Sequence, residues 1–407
     1  RRSSRSFSSA AIFFSSVVLP APFGPTMHIF SGPLIFKVIF SAKTRSPSGV
    51  SSFLASVMAI LLGMLVGLII LVASNPAQAG QGFTAILLGG LSNLKNMGQV
   101  LYYATPLIMT GLSVGFASKT GLFNIGASGQ FIVGAFAAVF VGVRFTFLPG
   151  ALHWIVALLA AILAGALWGM VPGILKATRN VNVVIGCIMM NYIGMYSVNA
   201  LVSAFIYDPL QSQSLPVDAD AILPKMGMDM IFRYNNRPSS ANAGILIAIL
   251  SGVAIWVILQ KTVFGYELKA CGYNSEAGRY AGMNEKKNVI SSMAIAGALA
   301  GLGGGLLYLA GSGNGIQVVD TLAAEGFNGI PVALLAMNNP IGIIFSGIFI
   351  AYLKVGGDQM QLYNFVPEVI DIIISVIIYF SAFALVFRGV VSKVFSGKKT
   401  DTADKTA

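Results

Sequence analysis

Leu152-His-Trp-Ile-Val-Ala-Leu-Leu-Ala-Ala-Ile-Leu-Ala-Gly-Ala-Leu-Trp-Gly-Met-Val-Pro-Gly-Ile-Leu175 runs for 24 residues without an acid, a lysine or an arginine. About twenty apolar residues in an α-helix cover the ~30 Å of bilayer hydrocarbon, so this stretch reads as a membrane-crossing helix. Working outward from it, comparable runs fall at 53–73, 97–117, 122–142, 183–206, 243–260, 289–310, 322–338, 340–355 and 367–387. The pattern predicts an all-α polytopic membrane protein with about ten transmembrane helices. The run 322–338 contains Glu325, Gly326, Gly329 and Pro331. It is expected to be broken or re-entrant, a form tolerated only where protein or a water-filled path surrounds it.

Composition supports a membrane chain. Of 407 residues, 56% are apolar and 10% charged, against about 25% charged in soluble domains. That excludes a soluble enzyme, a disordered chain and a disulfide-stapled secreted domain. Two cysteines (Cys187, Cys271) and two histidines (His28, His153) leave no disulfide framework and no metal site to expect. The 46 glycines follow no collagen period and suit close helix packing. The net charge of +11 is explained by membrane orientation rather than by nucleic acid, and no nucleic-acid partner is expected.

Residues 1–52 read as a basic, Ser-rich leader whose apolar pieces are too short to span, and the working protein is expected to start near Val50. The transmembrane domain then covers 53–390, and 391–407 is a basic tail without an assigned role. Putting the N-terminus inside places thirteen basic residues on the cytoplasmic side against six outside, the direction the positive-inside rule requires. This orientation makes 207–242 an external loop, 261–288 a cytoplasmic loop between spans six and seven, and both termini cytoplasmic.

Several polar residues invite a functional reading. Asn124, Gln130, Asn182 and Asn191 are amides in or beside apolar runs. They suit hydrogen bonding to a polar solute without the cost of a buried charge, although any single one reads first as an interhelical hydrogen bond. Glu325 is an acid at membrane depth, where insertion costs at least ~2.5 kcal/mol, and is a path candidate with Asn328 beside it. Glu368 and Asp371, just after Pro367, are better read as acids at a helix start. Trp154, Trp168 and Trp256 read as packing or interface anchors. Gly297 and Gly301 lie four apart on one helical face within a Gly-rich run. No Gly-Lys-Ser/Thr follows, so close helix contact is expected rather than phosphate binding.

The loop 261–288 carries Gly265-Tyr-Glu-Leu-Lys-Ala-Cys-Gly-Tyr-Asn-Ser-Glu-Ala-Gly-Arg-Tyr-Ala-Gly282. Tyr266, Leu268, Ala270, Ala277 and Tyr280 are placed to form short amphipathic helices broken at Gly272 and Gly282, either docking into a groove or simply connecting two spans. This segment resembles the coupling region of bacterial ABC importer permeases, in the branch serving ribose, other simple sugars, nucleosides and branched-chain amino acids. Three further blocks resemble that family in order: Gly121-Leu-Phe-Asn-Ile-Gly-Ala-Ser-Gly-Gln130, Ile188-Met-Met-Asn-Tyr192, and Gly326-Phe-Asn-Gly-Ile-Pro-Val-Ala-Leu-Leu-Ala-Met-Asn-Asn-Pro340. The long external loop, the Tyr266-Glu-Leu-Lys269 start and the late Asn338-Asn-Pro340 most resemble nucleoside permeases, with sugar permeases next. Two departures bear on substrate: Ser128 stands where many relatives carry Glu, and Asn182-Val183 where many carry Asn-Glu.

The resemblance implies a transport subunit rather than an enzyme. It implies cassette ATPases that bind ATP and Mg, a second permease subunit (the same or homologous), an external substrate-binding protein and contact with membrane lipid. This chain has no Walker A pattern and is expected to bind no cofactor itself. Tyr266, Glu267, Lys269, Gly272, Asn274, Ala277, Tyr280 and Gly282 would face the ATPases, and replacing Glu267 or Gly272 is expected to uncouple hydrolysis from uptake. Two rival readings are an ion-coupled transporter using Glu325, Glu368 and Asp371, and a membrane enzyme built on His153.

Overall fold

The computed structural model describes residues 49–382. The leader before residue 49, the end of the run 367–387, the tail 391–407 and both chain termini lie outside them. Helices α1 (Gly49–Ser74), α2 (Ala79–Leu88), α3 (Leu94–Lys119), α4 (Ala127–Arg144), α5 (Ala151–Arg179) and α6 (Val183–Phe205) come first. A polar segment follows, with the small hairpin β1 (Tyr207–Asp208) and β2 (Gln213–Ser214), the single turn α7 (Met228–Ile231), and a second hairpin β3 (Arg233–Tyr234) and β4 (Arg237–Pro238). Both hairpins are antiparallel, Tyr207 opposite Ser214 and Arg233 opposite Pro238. Then come α8 (Gly244–Lys261), α9 (Val263–Tyr273), α10 (Ser275–Tyr280), α11 (Glu285–Tyr308), α12 (Ala324–Leu335), α13 (Pro340–Met360) and α14 (Pro367–Ala382).

Among the described residues, seven helices are long and apolar enough to cross a membrane: α3, α4, α5, α6, α8, α11 and α13. The expectation of about ten is corrected to seven. The run 322–338 contains only the 12-residue α12, about 18 Å long and so too short to span. The run 367–387 shows 16 helical residues, and the described apolar part of α1 is Ile60–Ser74.

The long helices alternate between two ends of the bundle. Gly121, after α3, meets Gly272 of α9, so the end of α3 lies with the loop 261–288. At the opposite end Gly150 N–H donates to Asp220 Oδ2 (3.1 Å) and Leu223 N–H to Leu309 O (2.9 Å), which gathers 207–242 with the starts of α5 and α8 and the end of α11.

Lipid tails are as apolar as leucine, so helix association here rests on shape and close approach. The α5–α11 crossing shows it. A Cβ on Gly297 would land on the Gly165 carbonyl, and one on Gly301 would lie 2.8 Å from Gly165 Cα. The Gly-rich run expected to pack helices does so. Around this crossing α3 is buried continuously from Ala104 to Ala117. By contrast Leu159, Leu163 and Leu167 of α5 form an exposed stripe, the face a lipid-embedded helix presents to hydrocarbon. Asparagines repeatedly start helices: Asn93, Asn182, Asn274, Asn284 and Asn339 each accept a backbone N–H in the first turn of α3, α6, α10, α11 and α13.

Candidate translocation pathway and coupling surface

The backbone leaves helical geometry at two places within the bundle. The first is 121–126, between α3 and α4. Here Asn124, fully buried, donates to Ser113 Oγ (3.0 Å) and Gln130 Oε1 (2.8 Å), and its own Oδ1 accepts from Gly126 N–H (3.1 Å) and Gln130 Nε2 (3.1 Å). Ser113 Oγ donates in turn to Ala296 O (2.6 Å). Asn191 reaches in from α6, accepting from Gly129 N–H (2.8 Å) and donating to Ile125 O (3.0 Å). Non-helical backbone at membrane depth must find such partners, because no water is there to supply them. The geometry therefore gives Asn124, Gln130 and Asn191 to locking this interruption. Asn182 lies apart from them as the exposed cap of α6, accepting from Val184 N–H (2.9 Å).

The second interruption is 309–323, which runs from the end of α11 to the start of α12. Gly311 (φ 68°) and Gly313 (φ 80°) let it turn away from the helix. It is tied on one side to β2, where Ser214 N–H donates to Ile316 O (2.9 Å) and Ile316 N–H to Ser214 Oγ (3.0 Å). Asn199 of α6 donates to Val319 O (2.9 Å) and Asp320 Oδ1 (3.3 Å), and Ser128 Oγ to Ala323 O (2.8 Å). Tyr102 OH bonds Ser312 Oγ and accepts from Asn314 Nδ2, both at 3.0 Å.

Between this strap and the helices lies a cavity of about 410 Å³, lined by Ser128, Met195, Asn199, Tyr308, Asn314 and Glu325 among others. That volume and mixed lining fall in the range of small-molecule sites. Glu325 is in the first turn of α12, half-buried at the cavity wall, and Asn328 is half-buried one turn on. Of the six path candidates read from sequence, Glu325 lines this cavity and the other five do not. The sequence reading missed Asn199, Tyr308 and Asn314. The available signal was the polar, Gly-rich stretch Gly311-Ser-Gly-Asn-Gly315 immediately after an apolar run.

α12 follows the cavity and is seated by glycines. A Cβ at Gly326 would strike the Ser128 backbone, and one at Gly329 the Thr110 backbone. Glu368 stands in the first turn of α14, in keeping with the helix-start reading. His153 is fully buried with Nε2 3.0 Å from Val141 O, and Trp168 donates to Met190 O (3.1 Å), both packing roles.

The loop 261–288 forms two short helices, with Asn274 between them accepting from Ala277 N–H (3.0 Å). Leu268, Cys271 and Gly278 face inward, and Asn288 Nδ2 donates to Cys271 Sγ (3.1 Å). Gly282 (φ 80°) turns the chain after α10. Tyr266, Asn274, Ala277 and Tyr280 are exposed, Tyr280 at 92%, while Glu267, Lys269 and Gly272 are half-buried. The expected amphipathic face is thus divided: Leu268 packs on the bundle, while the tyrosines, with Val263 and Tyr273, form an outward apolar rim.

Residues 96–382 match the family described as branched-chain amino acid transport system / permease component. Among curated proteins, the guanosine ABC transporter permease protein NupP of Bacillus subtilis is 39% identical, covering 84% of this chain and 97% of that protein. The nucleoside ABC transporter permease protein NupB of Lactococcus lactis is 33% identical (86% and 96%). The glucose ABC transporter permease protein TsgB13 of Haloferax volcanii is 32% identical (80% and 85%). No solved structure matches the chain. A family match from the start of α3 to the end of α14, joined to near full-length likeness to such permeases, means that the chain belongs to the permease family of ABC importers, in its nucleoside and sugar branch, as a multi-pass membrane transport subunit rather than an enzyme.

Proposed function

We propose that this permease moves nucleosides inward across the bacterial cytoplasmic membrane by alternating access. The observation that carries the reading is the likeness to permeases named for guanosine and for nucleosides over 97% and 96% of their lengths. Family membership brings ATPase and substrate-binding components as partners in general, and it sets aside the ion-coupled and enzymatic readings. More finely, a second permease subunit, the same or homologous, stands across the path, and lipid covers the apolar stripe of α5. The exposed rim of Tyr266, Tyr273 and Tyr280 suits docking of an ATPase on the cytoplasmic side, with 207–242 outside. ATP drives transport in this scheme by binding the inward- and outward-open states unequally. Glu267 and Gly272 belong to the coupling segment.

The test is uptake of labelled guanosine by proteoliposomes holding the permease, its ATPases and its binding protein. ATP-dependent accumulation of guanosine is the expected outcome. A sugar permease is the second reading, favoured by the Haloferax glucose permease at 32% identity, and accumulation of glucose without guanosine would select it.

A further inference from the structure

We propose that Glu325 reads the sugar hydroxyls of the solute, so that the permease itself selects for a vicinal diol. The inference rests on the nucleoside reading above and names the part of the solute that the cavity recognises.

Much of the polar lining of the cavity is already committed to the fold. Ser128 holds Ala323, Asn199 holds Val319 and Asp320, and Asn314 holds Tyr102. Glu325 differs, being the one acid among the described lining residues and having no hydrogen bond or ion pair among the described residues. Tyr308, also in the wall and without a hydrogen bond there, lies within electrostatic reach of it. A carboxylate at membrane depth is costly, and the N-terminus of α12, whose cap residue Ala323 offers no side-chain bond, is the end of a helix that favours an anion. The fold thus keeps a carboxylate in the cavity wall without giving it a protein partner.

An ionised carboxylate only accepts hydrogen bonds, and its two oxygens are spaced to take one proton from each of two neighbouring hydroxyls. Such O–H···O⁻ bonds are roughly twice as strong as neutral ones. The Watson–Crick edge of guanine also offers two donors. A sugar ring is the feature that guanosine and glucose, named for two of the relatives, have in common, and glucose carries no base.

The experiment compares wild type with Glu325→Gln in the reconstituted importer, measuring ATP-driven uptake of guanosine, 2′-deoxyguanosine and adenosine. The binding protein is the same in both arms, so a change in a ratio of solutes reports on the permease. Glu325→Gln is expected to lower guanosine uptake about tenfold, to lower 2′-deoxyguanosine uptake far less, and to leave the guanosine-to-adenosine ratio unchanged. Glu325→Asp, which retains the charge, keeps part of the preference for the ribonucleoside. Equal loss for both guanosines, unchanged uptake, or a shifted guanosine-to-adenosine ratio would overturn the assignment. If the wild type carries no nucleoside, the nucleoside reading alone fails. The same comparison of wild type with Glu325→Gln is then made with glucose, where unchanged uptake in the variant, or no uptake by the wild type, overturns the role of Glu325.

Discussion

Asn191 and Asn199 lie two turns apart on α6 and have the same side chain, yet the bundle uses them differently. Asn191 is buried to 2% exposure and holds Gly129 and Ile125, closing the interruption at 121–126 from all sides. Asn199 stands in the wall of a cavity of about 410 Å³ and holds the edge of the strap that borders it. Both interruptions free peptide groups from helical pairing, and those groups need other partners. The first is filled by protein side chains. The second is only bordered by them, and a cavity is left over. In a membrane helix, then, what an amide does is decided by whether the groups around it close on one another or leave room.

The strongest way to break this contrast is Asn191→Leu, which leaves the buried Gly129 N–H and Ile125 C=O without partners. The cost is about 2–5 kcal/mol, read as a large drop in the unfolding temperature of the detergent-solubilised protein. A variant as stable as wild type would remove the locking role. Asn182→Ala tests the neighbouring amide that belongs to neither interruption. Loss of a helix cap costs about 1 kcal/mol, with uptake per folded molecule retained. Asn199→Ala is the smallest in stability, within about 0.5–1 kcal/mol since its site is open to water, but it frees the strap at Val319 and Asp320. Uptake is therefore expected to fall more than the unfolding temperature would suggest. Equal effects on uptake from Asn199→Ala and Asn182→Ala would erase the distinction between wall and cap.

The long helices were legible because each carries enough uninterrupted apolar residues to declare itself, as Leu152–Leu175 does within α5. α12 was not, since its run merges with flanking residues of similar hydropathy, and hydropathy does not record where backbone hydrogen bonding stops. Glu325, now seen in the cavity wall, stands out in the sequence because an ionisable group in an apolar run is conspicuous whatever surrounds it. Asn124, Gln130 and Asn191 read as path candidates because an amide satisfied within the protein looks the same in sequence as one facing water. The strap escaped notice for the opposite reason: Gly311–Asp320 reads as an ordinary connector, and only packing shows it beside α6 and β2.

The contact between Gly121 and Gly272 has a mechanical meaning. Side chains placed between two moving parts can change rotamer and absorb displacement, as springs do. Here a Cβ on either residue would strike the other's backbone, so peptide meets peptide with nothing compliant between them. A displacement of α9 would meet the turn after α3 with no side chain between them to yield. From that contact α3 runs past Thr110, against which α12 is seated, to Tyr102, which bonds the strap. One helix thus joins the two ends of the bundle, and peptide rests on peptide where it meets α9.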